Sequence, residues 1–293
     1  MKRTNGEKIF DMINIAVMIA FMLLVIIPLL NVVSISLTST EDLVSTKFPL
    51  IPSKVDWGAY SLVFASGSTI LNSFKISVIR VVFGTLLNMI LTYFLAYAMA
   101  LRKLPGRTGI TLFVFGTMMF SGGLIPSYLL INYAGLMNNF LVFIIPGAVS
   151  AWYTLLMRNF IMNVPDSLFE AAEIDGAREL TVIFRVILPL SLPAMATITL
   201  FYAVGHWNSW WDAYLYVRDP SIQPIQLMLR NILASTQISV SMMNNRAGML
   251  SFLPPSRAIQ NAVVVVSTIP ILCVYPFLQK YFVKGIMVGS IKG

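Results

Sequence analysis

The sequence predicts an all-α membrane protein that crosses the bilayer six times. Of its 293 residues, 57% are hydrophobic and only 11% are charged, and the mean hydropathy is +0.80. A soluble domain carries about 25% charged residues, so this chain has less than half the usual share. Several apolar runs also reach the roughly 20 residues that an α-helix needs to cross about 30 Å of hydrocarbon.

Six such runs lie within a single predicted domain, residues 1–293. Their approximate bounds are 9–37, 72–101, 108–131, 139–160, 186–206 and 258–279. The first run follows Met-Lys-Arg, as in a signal peptide, but it is longer than a signal sequence's apolar region and no small-residue cleavage site follows promptly. We therefore expect a retained first span. Gly122-Gly123 in the third run and Pro146-Gly147 in the fourth permit bending or close packing.

The basic residues predict the orientation of these spans. Twelve lie on one side, at the N-terminus, in the turn 102–107, between the fourth and fifth spans, and in the C-terminal tail. Six lie on the other side, spread over two longer loops, the second of which covers about 208–257. Because Lys and Arg concentrate in cytoplasmic loops, both termini are expected in the cytoplasm. Membrane topology thus explains the net charge of +8, and no nucleic-acid partner is expected.

The acidic residues and the missing motifs exclude several functions. Only Asp11 approaches a span, whereas a proton- or sodium-coupled carrier usually keeps a carboxylate at membrane depth. The sequence contains no G-x-x-x-x-G-K-[ST] phosphate loop, no HExxH and no CxxC, and its single cysteine, Cys273, cannot form an intrachain disulfide. We therefore expect no catalytic residue, metal site or cofactor, and the chain needs an external source of energy.

The predicted cytoplasmic segment 163–189 places a cluster of charge between two apolar spans. Ser167 and Glu170 fit the capping box S-x-x-E, which predicts that a helix begins at Ser167. Gly176 within this helix suggests a bend or a close backbone contact. One face of the helix, the predicted docking face, carries Phe169, Ala172, Gly176, Leu180 and Ile183. The helix either lies on its own bundle as a surface element or docks into a partner and transmits its motion.

This segment resembles the EAA loop of permease subunits from binding-protein-dependent ABC importers. The family pattern is EAA, three residues, Gly, nine residues, Ile, any residue, Leu-Pro. Glu170-Ala171-Ala172, Gly176 and Leu188-Pro189 match it, and the only departure is Val186 in place of Ile. The resemblance implies that residues 163–189, the EAA loop, form coupling helices that sit in a groove of an ATP-binding subunit. The residues assigned to coupling on this basis are Glu170, Ala171, Ala172, Asp175, Gly176, Leu188 and Pro189.

The resemblance extends over the whole chain and implies the fold of a type I ABC importer permease. The tail KYFVKGIMVGSIKG and the Trp207-Asn208 pair are similar to the shorter permease of carbohydrate importers, especially those for complex oligosaccharides such as alginate. The implied location is a bacterial inner membrane. The implied partners are a homologous second permease, two ATP-binding subunits that hold ATP and Mg²⁺, and an extracytoplasmic solute-binding protein. An importer of a non-sugar solute, an ion-coupled carrier and a membrane enzyme acting on lipid-linked sugars remain as alternatives.

Substrate contacts are expected in the second span and at the outer end of the fifth. The aromatic residues at that end form either an interfacial belt or a stacking surface for sugar rings. Lys75 and Arg80 either extend their charges toward the outer surface or line a path for an acidic glycan. The candidates for the substrate path are Lys75, Arg80, Trp207, Asn208, Trp210 and Trp211. His206 is expected to be a hydrogen-bonded packing residue.

Overall fold

All regular structure in the described part of the chain is helical, which confirms the predicted fold class. The computed structural model describes residues 5–39, 42–45, 49–52, 54–243 and 257–290. The α-helices are α1 (Asn5–Ser36), α2 (Asp42–Ser45), α3 (Gly58–Val63), α4 (Thr69–Ala100), α5 (Arg107–Met119), α6 (Leu124–Tyr133), α7 (Ala151–Met162), α8 (Asp166–Ile174), α9 (Glu179–Thr181), α10 (Leu188–Asn208), α11 (Trp211–Tyr216), α12 (Ile225–Met243) and α13 (Arg257–Ser290). Two 3₁₀ helices cover Phe140–Phe143 and Pro220–Ile222, and a π-helix covers Val182–Ile187.

Four helices among the described residues have the length and apolarity of membrane spans. They are α1, α4, the continuous helical run Glu179–Asn208, and α13, whose apolar part covers Arg257–Val274. These correspond to the first, second, fifth and sixth predicted spans. Because apolar side chains project in all directions from α1, nearly its whole surface is suited to contact with lipid or another subunit.

The third predicted span, 108–131, is broken into two helices. α5 and α6 meet at a bend of 113°. The break contains Gly122-Gly123, and Gly123 has a φ of 83°, a left-handed conformation that side chains other than glycine adopt at a cost. The glycine pair therefore explains why a run of apolar residues long enough to span a membrane does not form one straight helix.

The fourth predicted span, 139–160, is not one helix either. A 3₁₀ helix at Phe140–Phe143 is followed by irregular chain through Pro146-Gly147, and only then does α7 begin. Ser150 caps α7, since its side chain accepts a hydrogen bond from the Tyr153 amide. The count of six spans is therefore not confirmed: the described residues contain four candidate spans, or five if the bent pair counts as one.

The chain divides into two compact units, whereas the sequence predicts one domain, residues 1–293. The first unit comprises Met1–Leu71 and Met228–Ile269, and the second comprises Asn72–Leu227 and Pro270–Gly293. In the first unit, the chain folds back on the end of α1. Asn31 Nδ2 donates to the Pro49 carbonyl at 2.8 Å, and the Asp56 amide donates to the Leu37 carbonyl at 2.8 Å.

The second unit contains the apolar core that holds the EAA loop. This core lies between the second half of α4, α7, the EAA loop and α10. Its buried members are Met89, Tyr93, Ala96, Tyr97, Met157, Ile161, Ala172, Val182, Ile183, Ile187, Ile198 and Tyr202. The EAA loop is therefore seated on the helices that precede and follow it, and it does not stand apart from them.

Candidate functional site: the EAA loop and the candidate substrate path

The EAA loop begins with α8, a helix of 9 residues. Its N-cap is Pro165, and the predicted start at Ser167 with a capping box is wrong. The physical reason is that Pro165, with a φ of −57°, already has the backbone angle of a helix entry and leads the chain directly into the first turn. Asp166 then places a carboxylate in that first turn, where the helix dipole favours negative charge.

Gly176 lies in the turn that terminates α8, whereas the sequence predicts a bend or a close contact within a longer helix. Its φ is 68°, and two backbone hydrogen bonds close the turn around it. The Ala177 amide donates to the Ala172 carbonyl at 2.9 Å, and the Gly176 amide donates to the Glu173 carbonyl at 3.1 Å. This is the Schellman arrangement, which requires a left-handed residue directly after the helix. The spacing between the EAA triplet and the glycine is thus the spacing of a helix C-terminus.

The predicted docking face, from Phe169 to Ile183, is divided between the core and the surface. Ala172 is buried, and Phe169 and Ile183 pack in the apolar core, so these side chains are not available to a partner. The prediction is wrong for these three residues because it assumed one continuous helix, whereas the turn at Gly176 redirects the chain. Leu180, which also belongs to the predicted face, is 63% exposed, and Ile174, which does not, is 86% exposed. The exposed residues of the loop also include Glu170, Ala171, Glu173, Asp175 and Gly176.

Two tyrosines of α4 connect that helix to the EAA loop. Tyr97 Oη donates to the Glu179 carboxylate at 2.6 Å, and Tyr93 Oη donates to the Ile183 carbonyl at 2.9 Å. Both tyrosines are buried in the apolar core. A hydrogen bond to a charged acceptor contributes about 1.5–3 kcal/mol. The two bonds therefore hold the second half of the loop against α4.

Two exposed ion pairs connect α8 to the turn that follows α4. Lys103 Nζ donates to both carboxylate oxygens of Glu173 at 3.0 and 2.9 Å, and Arg102 Nη1 lies 2.8 Å from Asp166 Oδ2. The hydrogen bond to Glu173 raises the pKa of Lys103 above its usual value. Because solvent screens exposed pairs, each contributes little to stability. A cleft of about 790 Å³ lies between this turn, α7 and the EAA loop, and Glu170 is among its lining residues.

Leu188-Pro189, the end of the motif, forms the junction with the next span. Proline has no N–H to donate and its ring clashes with the carbonyl four residues earlier, here that of Arg185. Arg185 lies in the π-helix Val182–Ile187, whose wider turn relieves such a clash. Leu188 packs against the apolar core and begins α10. These two residues therefore shape the entry to the span.

Arg80 lies inside the protein, which corrects both interpretations offered for it. It is 2% exposed, and its guanidinium pairs with the Asp212 carboxylate through Nη1, at 3.2 Å, and Nη2. Nη1 also donates to the Ser209 carbonyl at 3.3 Å, and Arg80 Cζ lies 4.7 Å from the centre of the Phe143 ring. A buried charge is tolerated when it is paired and hydrogen-bonded. Arg80 therefore presents no charge to a substrate in this conformation.

The other candidates for the substrate path divide into buried and exposed residues. Trp207 is 6% exposed and packs edge-to-face on Phe74, with ring centres 5.6 Å apart, which makes it a packing residue. Trp210 is half-buried against a second apolar cluster. The exposed candidates are Lys75, Asn208 and Trp211. Trp211 also stacks with the exposed Tyr214, with ring centres 5.9 Å apart, and so offers an aromatic surface.

His206 is a packing residue, as expected from the sequence. Its Nε2 lies 2.6 Å from Asn88 Oδ1. Asn88 is buried in α4 and also donates to the carbonyls of Gly147 and Ala148 at 2.7 and 2.8 Å. Asn88 is not among the functional residues predicted from the sequence. A buried asparagine in an apolar span is itself a signal of an interhelical contact, because the amide needs partners that lipid cannot provide.

The long apolar helices and the loop seated between α7 and α10 define a class of protein, the polytopic α-helical membrane proteins. A scan of the chain against protein-family models gives no match. Over 288 residues the chain is 41% identical to the polygalacturonan/rhamnogalacturonan transport system permease protein YtcP of Bacillus subtilis (strain 168), covering 98% of this chain and 99% of that protein. It is also 36% identical to Protein LplC of the same organism, covering 100% and 98% of the two chains.

A solved structure shares the fold over nearly the whole length. It belongs to a bacterial ABC transporter involved in the import of the acidic polysaccharide alginate. The TM-score is 0.85 at 28% sequence identity, with 96% of this chain and 99% of that chain covered. The chain therefore belongs to the permease proteins of carbohydrate ABC transporters. It is a non-catalytic transport subunit of the membrane, and the resemblance drawn from the EAA loop is confirmed.

Proposed function

We propose that this chain, together with a homologous permease, forms the membrane pathway of an ATP-driven importer of acidic oligosaccharides. The observation that carries the proposal is the full-length similarity to the polygalacturonan/rhamnogalacturonan permease, at 41% identity. Polygalacturonan and alginate are both built from uronic acids, so each such sugar ring carries a carboxylate. The pathway alternates between a state open to the outside and a state open to the cytoplasm.

Two exposed groups suit such a substrate. The Lys75 ammonium attracts carboxylates, and the Trp211 face offers an aromatic plane to the C–H face of a sugar ring. Asn208, also exposed, offers an amide that donates to hydroxyl groups and accepts from them. We assign substrate contact to these three residues. Arg80, already neutralised by Asp212, has a structural role in this scheme.

Partner subunits provide the energy, since this sequence has no phosphate-binding loop. We assign the ATP-binding subunit, with its ATP and Mg²⁺, to the exposed side of the EAA loop. Glu170, Ala171 and Asp175 lie on that side, whereas Ala172 packs inward. Gly176, Leu188 and Pro189 contribute through the shape of the loop. An acid-rich surface of this kind fits a partner groove that carries basic groups.

This assignment also determines the topology. If the EAA loop contacts an ATP-binding subunit, it lies in the cytoplasm, and both termini lie on the same side of the bacterial inner membrane. The solute-binding protein then docks on the outer loop, about 208–257. In that loop the structure describes α11, a 3₁₀ helix and α12, which ends at Met243. Residues 244–256 lie outside the described residues.

Reconstitution tests the proposal. The complete importer is placed in vesicles with its solute-binding protein, and uptake of radiolabelled trigalacturonate is compared with that of the neutral sugar maltotriose. Trigalacturonate uptake should require ATP on the side of the ATP-binding subunits and should exceed that of maltotriose. Preference for maltotriose would contradict the acidic substrate. Uptake driven by a proton or sodium gradient without ATP would contradict the importer itself.

A charge reversal tests the role of the EAA loop. Glu170→Lys should abolish uptake while the protein still inserts in the membrane, because a lysine opposes a basic groove on the partner. Glu7→Lys is the control, since Glu7 is an exposed acid on the same predicted side of the membrane. Normal uptake by Glu170→Lys would remove Glu170 from the contact with the ATP-binding subunit.

A further inference from the structure

One face of α4 carries polar side chains along most of the helix. Residues four apart in a helix share a face, and Arg80, Asn88 and Thr92 follow this spacing, with Gly84, which has no side chain, between the first two. Tyr93 and Tyr97 lie beside them. These side chains bond to the chain that follows α7. The pairs are Arg80 with Asp212, Asn88 with His206, Thr92 with Tyr202 at 2.7 Å, Tyr93 with the Ile183 carbonyl, and Tyr97 with Glu179.

These five contacts form a polar seam, from Arg80–Asp212 at one end to Tyr97–Glu179 at the other. Lipid offers no hydrogen-bond partner in place of a lost one, so a break in the seam leaves polar groups unsatisfied at membrane depth. The seam therefore favours movement of α4, α10 and the EAA loop as one body. A displacement of the loop at one end then reaches Asp212 at the other.

The Tyr97–Glu179 bond occupies the end of the seam at the EAA loop. Among the contacts that the structure describes, it is the one hydrogen bond that joins a side chain of α4 to a side chain of this loop. Tyr97 is buried and fixed by the apolar core, whereas Glu179 lies at the exposed end of α9. At 2.6 Å the bond is short and charge-assisted, which makes it stronger than a neutral one. The exposed pairs Arg102–Asp166 and Lys103–Glu173 are screened and cannot take its place.

We propose that Tyr97 and Glu179 are positioning residues that transmit the motion of the EAA loop to α4 and the substrate path. The proposal rests on the proposed function, since it assigns where the work of an ATP-binding subunit enters this chain. Neither residue contacts the partner in this scheme. Without their bond, the loop moves with the ATP-binding subunit while α4 lags behind. ATP hydrolysis then continues while less substrate crosses per ATP.

The test measures trigalacturonate uptake and ATP hydrolysis in the same vesicles that hold the complete importer. Tyr97→Phe removes one hydroxyl and keeps the ring in the core, so assembly should match the unmodified chain. Uptake per ATP should fall by about tenfold to a hundredfold, the range that corresponds to one charged hydrogen bond. Glu179→Leu should have the same effect. Glu179→Gln should retain coupling, because the amide oxygen still accepts the bond from Tyr97.

Two controls make the result specific. Tyr153→Phe removes the hydroxyl of another tyrosine that packs on the same core and whose side chain has ring contacts among those described. This change should leave the ratio unchanged. The double variant Tyr97→Phe/Glu179→Leu should be no worse than either single variant, since both remove one bond. Additive losses would overturn the proposal.

Failure of the proposal and failure of the proposed function give different results. If the unmodified importer shows no ATP-dependent uptake, the proposed function fails. If it is active and Tyr97→Phe transports as much per ATP as the unmodified chain, the positioning role is overturned. If Tyr97→Phe does not assemble, Glu179→Gln and Glu179→Leu decide: equal coupling by these two variants overturns the proposal.

Discussion

Gly84 of α4 lies directly against the imidazole ring of His206 of α10. A Cβ atom at Gly84 would lie 2.5 Å from His206 Nε2 and 2.6 Å from Cε1, far inside van der Waals contact. Small residues let membrane helices approach closely, and here the missing side chain leaves the space that the imidazole fills. The same Nε2 reaches Asn88, one turn further along α4. Gly84 thus permits the hydrogen bond at the centre of the polar seam.

Gly84→Ala should destabilise the protein by about 1–3 kcal/mol, because the methyl group forces His206 out of its place. Thermal unfolding of the purified importer in detergent measures the effect. Gly109→Ala is the control, since no atom lies within 4 Å of a Cβ at that helical position. Adding His206→Ala to Gly84→Ala should cost less than the sum of the two single changes. Full additivity would show that the two residues do not meet.

The long helices could be predicted because length and apolarity alone decide them. The runs that became α1, α4, α10 and α13 needed no knowledge of their neighbours. The third run was also long and apolar, but it does not form one straight helix. Its glycine pair permitted either packing or a bend, and only the folded chain shows the bend of 113°. The number of apolar residues in a run predicts its length, but it does not predict the backbone angles within the run.

The EAA motif predicted where the loop lies in the sequence, but not that the chain changes direction at Gly176. The distance from Ala172 to Gly176 was visible in the sequence, and it now corresponds to a helix C-terminus.

Arg80 and Asp212 are 132 residues apart, and no periodicity relates them. An arginine in an apolar span does indicate a buried acid elsewhere, since an unpaired charge is costly there. Identifying that acid requires the tertiary structure.

Asp212→Asn should lower stability by about 3 kcal/mol or more, because it leaves the buried Arg80 guanidinium without a compensating charge. Asp219→Asn, a matched change at an exposed residue, should have little effect on stability. The measurement is again thermal unfolding of the assembled importer. If Arg80 is structural, Asp212→Asn should reduce uptake of trigalacturonate and maltotriose by the same factor. A selective loss of trigalacturonate uptake would instead return Arg80 to the substrate path.

Gly176→Ala should reduce uptake, since alanine resists the φ of 68° and the turn that ends α8 is strained by about 1–2 kcal/mol. Gly176→Asn should be milder, because asparagine adopts the left-handed conformation more readily than alanine does. Gly205→Ala, at a helical position with open space around its Cβ, is the control. Uptake assays on vesicles with equal amounts of importer compare the three. An equal loss for alanine and asparagine would point to the size of the side chain and not to the backbone.

Lys75→Gln should slow uptake of trigalacturonate more than uptake of maltotriose. Lys75 lies exposed near the start of α4, and its ammonium attracts carboxylates that a neutral sugar does not have. The attraction between exposed charges weakens with ionic strength, so the difference between the two sugars should shrink as salt is raised. Lys54→Gln makes the same change of charge at another exposed site, between α1 and α4, and should affect both sugars equally. Equal slowing of the two sugars by Lys75→Gln, at low and at high salt, would show that this lysine takes no part in recognising the acidic groups.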